Sequence, residues 1–251
     1  MTSLAKDVLL KTVGVKRMFG GLAANDNVSI EIRRGQVHAV LGPNGAGKST
    51  LINLLSGDLA CSGGSILYRG QDITHLSPDS RSRMGIGRSY QKTSIFPSFT
   101  VFENCRLSAQ SRHPRSTAVW SNASTYPRYV EAAEKAMHST GLISHAYRRA
   151  SDLSHGEQRQ LELAIVLCTE PDVLLLDEPL AGMGLEESAR MIALLKTLVQ
   201  SHAILLVEHD MDAVFSIADV ITVMVNGVVL QTGFPDEIRS NSEVQRAYFG
   251  H

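Results

Sequence analysis

An α/β fold built on a parallel sheet is predicted by three observations. Val173-Leu174-Leu175-Leu176 and Ala203 to Val207 are continuous apolar runs, as expected of strands buried on both faces of a parallel sheet. A glycine-rich turn, Gly42 to Gly47, stands between an apolar strand and a helical stretch. From about Thr93 to Ser151 the chain is rich in Arg, His, Ser and Pro, yet Tyr129, Ala132, Ala133, Ala136 and Met137 keep helical spacing. That stretch reads as a mostly helical insertion between two halves of a sheet domain.

The elements follow in order. Val28, Ile30 and Ile32 alternate with Ser29, Glu31 and Arg33, the pattern of a half-buried strand. Arg34-Gly35 turns into a buried strand, Val37 to Leu41, and Lys48 to Leu55 looks helical. Ile66 to Gly70 is a short strand ending in a turn. After Val173–Leu176, the residues Met191, Leu194, Leu195, Leu198 and Val199 mark an amphipathic helix. Ile221 to Val225, Asn226-Gly227 and Val228 to Leu230 form a hairpin signature.

Composition narrows the class. The chain has 251 residues, 24 Lys and Arg against 25 Asp and Glu, and 43% hydrophobic residues. That suits one large globular domain or two small ones. A net charge of −1 gives no broad electrostatic case for nucleic acid or acidic lipid. No apolar run approaches the ~18 residues of a membrane-spanning helix, and Met1 to Lys11 lacks a signal-peptide core. Cys61, Cys105 and Cys168 are an odd set without metal-ligand spacing, as expected of buried thiols in a reducing compartment.

Gly42-Pro43-Asn44-Gly45-Ala46-Gly47-Lys48-Ser49-Thr50 satisfies the G-x-x-x-x-G-K-[ST] pattern in the strand–turn–helix context it requires. The glycines let successive N–H groups face inward as an anion nest, and the following helix adds its positive end. Lys48 should reach the β- and γ-phosphates, and the Ser49 hydroxyl should ligate Mg²⁺. A GTPase would need D-x-x-G and N-K-x-D, and neither occurs. Asp177-Glu178-Pro179 follows a buried strand, where ligands of parallel sheets gather. Asp177 is placed to hold Mg²⁺ through water and Glu178 to deprotonate the attacking water, although the pair could simply begin a loop. Ser154-His155-Gly156-Glu157-Gln158 precedes a helix carrying Leu161, Ala164, Ile165 and Cys168. Ser154 and Glu157 read as a capping box, and such a terminus is again an anion site.

Taken together, these residues resemble the ATPase subunits of ABC transporters from about Val8 onward. The P-loop, the signature Leu153 to Gln158 and the acidic motif Leu174 to Glu178 carry the resemblance. Gln91 matches the glutamine loop, Val207-Glu208-His209-Asp210 the switch histidine, and Phe19 the aromatic that stacks on adenine. Arg17 to Leu22, the Ser-His-Gly-Glu-Gln signature, Glu178 to Met183 and Ala247-Tyr248-Phe249-Gly250 resemble the branched-chain (hydrophobic) amino acid importer ATPases. Two departures stand out. His155 stands where many relatives carry Gly, and Ala181-Gly182-Met183-Gly184 replaces the usual Ser-Ala-Leu-Asp loop, which puts that aspartate's contacts across the dimer in doubt.

The resemblance implies a P-loop NTPase (RecA-like) core with an N-terminal antiparallel β subdomain and an inserted α-helical subdomain. The expected division within residues 1–251 is 1–91 for the β subdomain and P-loop core and 92–160 for the helical subdomain with the signature. Residues 161–235 complete the core and 236–251 form a tail. ATP and Mg²⁺ are expected, with Ser49, Gln91 and Asp177 toward the metal and Glu178, His209 and Gln91 toward catalysis. Ser154, His155, Gly156 and Glu157 would meet the ATP of a second protomer, in a homo- or heterodimer. Two transmembrane permease subunits and a substrate-binding protein are the implied partners, at the cytoplasmic face of the inner membrane. A urea or amide importer, a lipid exporter and a soluble remodelling ATPase remain alternatives. Gln91 to Ser154 carries no heptad run, so there is room only for the helical subdomain. Elsewhere, His38 is expected to be a satisfied core histidine, and His138, His145 and His202 surface residues. Phe96 to Phe102 is read either as local packing or as part of a groove for the permease.

Overall fold

In the computed structural model, residues 8–90, 94–112 and 126–249 are described. Two sheets enclose a shared core. The first is antiparallel: β1 (Val8–Phe19) pairs with β2 (Leu22–Val28), β3 (Glu31–Arg33) and β5 (Gly63–Tyr68), and β5 pairs with β6 (Gln71–Asp72). The second holds β4 (Val37–Leu41), β7 (Ile86–Arg88), β8 (Val173–Asp177), β9 (Ala203–Val207), β10 (Val220–Val225) and β11 (Val228–Gly233). Its order is β11-β10-β4-β9-β8-β7, parallel except at β11.

The continuous apolar runs serve both faces of this second sheet. Val173, Leu175, Ala203, Leu205 and Val207 face the core shared with the antiparallel sheet. Leu174, Leu176, Ile204 and Leu206 face α5 (His155–Leu167), α6 (Leu185–Leu198) and α7 (Met211–Ile217). Between the sheets runs α1 (Lys48–Ser56), with Leu51, Ile52, Leu54 and Leu55 fully buried. Its C-terminal carbonyls are held by Arg81, on α2 (Pro78–Met84), which donates to Leu54 O at 2.6 Å and Leu55 O at 2.9 Å. The sequence carries no local signal for this buried arginine.

The polar stretch folds as α3 (Val101–Arg112), α4 (Pro127–Ser139) and two short 3₁₀ turns, ending at α5. It has its own core, in which Val101, Cys105, Tyr129, Met137, Leu161 and Cys168 pack together. The chain closes with α8 (Pro235–Ser240) and α9 (Ser242–Phe249). Two differences from the sequence expectation have local causes. Val28, Ile30 and Ile32 are all buried as the alternation requires, but the ladder breaks at Ser29-Ile30 between β2 and β3. Ile30 instead exchanges bonds with Thr12, donating to its Oγ1 at 2.9 Å and accepting from its N at 2.9 Å. β1 has no simple period because Gly14, at φ +57, interrupts it and the pairing shifts register. The hairpin is as expected: Asn226 and Gly227 have φ of +50 and +82, the two left-handed residues of a type I′ turn.

Candidate functional site

The P-loop joins the end of β4 to α1 at the carboxyl edge of the parallel sheet. Its backbone has no room to spare. A Cβ at Gly42 would sit 2.3 Å from Met224 O, and one at Gly47 would sit 2.3 Å from Ala24 O. Gly47 also has φ +96, and it caps α1 without any side-chain bond. The first N–H groups of α1 therefore have no side-chain acceptor and face the opening. Two contacts missed by sequence reasoning fix the loop. The buried Asn25 donates from Nδ2 to Gly47 O at 3.2 Å. The hairpin turn donates from Gly227 N to Ala46 O at 3.1 Å and accepts from Asp26 N at 2.8 Å.

Above the loop opens a cavity of about 540 Å³. Asn44 through Thr50 line it with Glu178, Asn226 and the edge Leu22-Ala23-Ala24. Lys48 is only 8% exposed and folds back, donating from Nζ to Gly42 O at 2.6 Å and Pro43 O at 3.0 Å. Burial lowers its pKa, against the opposing pull of Glu178 and Asp177. Asp177 ends β8 almost fully buried, and its Oδ1 has no hydrogen-bond partner. Burial raises its pKa despite the nearby Arg88 and Lys48 cations. Glu178 holds a left-handed conformation, φ +53, immediately before a proline. Such strain is stored at sites that need one fixed geometry; here Glu178 N donates to Val207 O at 2.9 Å.

Next to it is Glu208, an acid to which the sequence reading gave no role of its own. It is 1% exposed, accepts from Leu180 N at 2.8 Å and His209 N at 3.2 Å, and has its pKa raised by burial. A charge directly after an apolar strand, at the same sheet edge as Asp177, was the available signal. The His209 side chain is exposed, with Nδ1 3.7 Å from Glu208 Oε2, and is not part of the cavity wall. Phe19 lies at the end of β1, opposite Leu22, with the Arg17 guanidinium 4.6 Å from its ring centre. Leu22 lines the cavity and Phe19 does not. Gln91 lies outside the described residues.

The signature forms a second site, separate from the first. Ser154 caps α5, accepting from Glu157 N at 3.2 Å, and Glu157 Oε2 accepts from Ser154 N at 2.7 Å: the full capping box. Glu157 Oε1 faces His145 Nδ1 at 3.1 Å and Arg148 at 3.6 Å. Gly156 is buried, and His155 packs close to Gly182. A cavity of about 350 Å³ opens beside Ser154, Gly156 and Glu157. Elsewhere, His38 is the satisfied core histidine expected, bonded to Glu31 O at 2.9 Å and Thr222 Oγ1 at 2.8 Å. Phe96 and Phe99 stack at 5.2 Å and remain exposed, 51% and 37%. Buried Asn104 holds the Phe96 backbone from both sides.

Residues 25–181 match the family described as ABC transporter. The chain is 39% identical over 251 residues to the high-affinity branched-chain amino acid transport ATP-binding protein LivG of Salmonella typhimurium, covering 96% of this chain and 98% of that one. It is 37% identical over 250 residues to the corresponding BraF protein of Pseudomonas aeruginosa, with the same coverage. Among solved structures, a nucleotide-free ATP-binding cassette from an ABC transporter superposes with TM-score 0.86 at 29% identity, covering 97% of this chain and 100% of that one. A cassette in its ADP conformation gives TM-score 0.87 at 29% identity, covering 97% and 99%.

Proposed function

The chain belongs to the ABC transporter family, and from that premise we propose that it is the ATP-hydrolysing subunit powering import of branched-chain or other hydrophobic amino acids. The observation that carries the chemistry is the uncapped terminus of α1 with Lys48 and Glu178 on one cavity. The cargo rests on likeness across nearly the full length of LivG and BraF.

Lys48 exchanges the Gly42 and Pro43 carbonyls for the β- and γ-phosphates. The phosphates bind the α1 N–H groups and shield Lys48 in its buried position. The orphaned Oδ1 of Asp177 and the Ser49 hydroxyl are hard oxygen donors at one edge, a set that fits Mg²⁺. When bound there, the ion would neutralise charge on the phosphates. Glu178, locked by its backbone, takes the proton of the attacking water; His209 and Gln91 orient water and γ-phosphate. Leu22 to Ala24 give the base an apolar edge, and Phe19 turns toward it when nucleotide enters. Ser154 and Gly156 of a second protomer complete the site, so two ATP molecules lie between paired chains. Hydrolysis followed by phosphate release removes charge shared by the facing surfaces, and the pair separates.

No described helix is long and apolar enough to cross a membrane. The exposed Phe96–Phe99 pair is read as part of the groove that receives a permease at the cytoplasmic face, with a substrate-binding protein delivering cargo. Glu178→Gln tests the chemistry. ATP binding should persist while turnover falls by about 10²-fold or more. Near-normal turnover would remove Glu178 as the base. Purification from the native membrane should recover two permease subunits, and deletion should abolish uptake of labelled leucine; retained uptake would overturn the cargo.

A further inference from the structure

One anion already sits on the signature. Glu187, in the first turn of α6, accepts a hydrogen bond from Gly156 N at 3.2 Å through Oε1. Its Oε2 faces Gly184 N at 3.4 Å. Gly156 is the second residue of α5, and its amide is one of the terminal donors that no helix carbonyl satisfies. The fit is close: a Cβ at Gly156 would stand 2.7 Å from Glu187 Oε1. Both residues line the 350 Å³ cavity with Ser154, Glu157 and Arg190. The other charged groups there are otherwise engaged. Glu157 faces His145 and Arg148, and Arg190 faces Glu186 at 3.9 Å. Glu187 makes no ion pair among the described residues.

We propose that Glu187 is a positioning residue, a built-in anion that occupies the Gly156 amide until a phosphate of the second protomer's nucleotide displaces it. The inference rests on the reading above, in which the signature meets that nucleotide. A carboxylate and a phosphate cannot share one N–H, and the two negative charges repel. Phosphate arrival must therefore drive Glu187 away. Glu187 also anchors the far end of the segment that begins at Glu178: Ala181 N bonds Glu178 O, Met183 N bonds Leu180 O, and Gly182 packs against His155. Nucleotide bound at one composite site would release the segment that carries the base of the other. That is coupling between two sites through a displaced contact, as linkage requires.

The test uses the full chain in the Glu178→Gln background, where ATP holds the pair without turnover. Sedimentation gives the ATP concentration at which half the chains are paired, for Glu178→Gln alone and with Glu187→Gln or Glu186→Gln added. Gln at 187 keeps an oxygen acceptor for Gly156 N and removes the charge. Glu187→Gln should lower the midpoint by about fivefold or more and flatten the dependence on ATP. Glu186→Gln, its charge-matched neighbour, should leave both unchanged. Glu187→Ala should lower the midpoint similarly, while a merely structural role would raise it. An unchanged or raised midpoint with Glu187→Gln overturns the inference while leaving the pairing intact. If Glu178→Gln alone fails to pair with ATP, the reading of the signature falls, and this inference with it.

Discussion

Two helix N-termini in this molecule are proposed to meet phosphate, and they are prepared in opposite ways. At α1 the cap is Gly47, no side chain satisfies the first N–H groups, and a cavity of about 540 Å³ lies open above them. At α5 the cap is Ser154, Glu157 completes the box, and Glu187 takes Gly156 N. The first terminus has no side-chain cap; the second is satisfied within its own chain. On the proposed function, the difference would let one cassette bind in two stages. Nucleotide would enter the open terminus once Lys48 Nζ leaves two loop carbonyls. The satisfied terminus engages only when a stronger anion arrives on another surface.

Rigidity at α1 and compliance at α5 make the largest expected contrast. Gly47→Ala places a methyl 2.3 Å from the backbone oxygen of Ala24 at φ +96, where neither side yields cheaply. We expect loss of nucleotide binding and destabilisation of about 3 kcal/mol or more, read by calorimetry and by fluorescent ATP titration. Gly156→Ala meets only the flexible end of Glu187, at ordinary helical backbone. Nucleotide binding to the isolated chain should stay normal and stability should change by less than about 1 kcal/mol. Equal losses at both glycines would erase the distinction.

Ser154→Ala probes the satisfied terminus directly. The serine accepts from Glu157 N, and such caps contribute about 1 kcal/mol. We expect a loss of that size in urea unfolding, with nucleotide affinity of the single chain unchanged. A weakened affinity in the unpaired chain would place the signature on the chain's own nucleotide and end the comparison.

How much of this was legible beforehand follows the same division. The P-loop, Asp177 and Glu178 were readable because their chemistry is local: a short spacing, a strand before, a helix after. The central parallel strands were readable because two-sided burial leaves an unbroken apolar run, and the hairpin because Asn-Gly supplies both left-handed residues; the edge strand Ile86–Arg88, only three residues with a glycine and an arginine, was not. The capping box at Ser154 was readable as well. Glu187 on Gly156, Asn25 on Gly47 and Gly227 on Ala46 were not, since each joins residues distant in sequence and only the tertiary fold brings them together. β1 escaped notice because Lys11, Lys16 and Arg17 mix with its apolar residues and Gly14 resets the phase. Arg81 escaped because a buried arginine serving helix carbonyls looks, in sequence, like any surface arginine.

The smallest effect should come from Glu208, which stands between the two termini. It pins the start of the 179–184 segment by accepting from Leu180 N, as Glu187 pins its end. Burial raises the pKa of Glu208 above the ordinary 4.5, with Glu178 pushing the same way and the Leu180 and His209 amides opposing. The protonated acid therefore favours the folded state. That contribution is complete below pH 4.5 and is lost as pH rises through the elevated folded value. Gln keeps the acceptor for Leu180 N, forfeits the bond from His209 N, and carries no charge to bury. The stability of Glu208→Gln minus that of the natural chain should therefore be negative by roughly 0.5 kcal/mol at acid pH, where one hydrogen bond is missing. It should climb toward zero or above as pH approaches neutral, as melting temperatures in matched buffers would record. A difference independent of pH would mean that the charge on Glu208 carries no penalty. The segment after Glu178 would then be held at its start by hydrogen bonding alone.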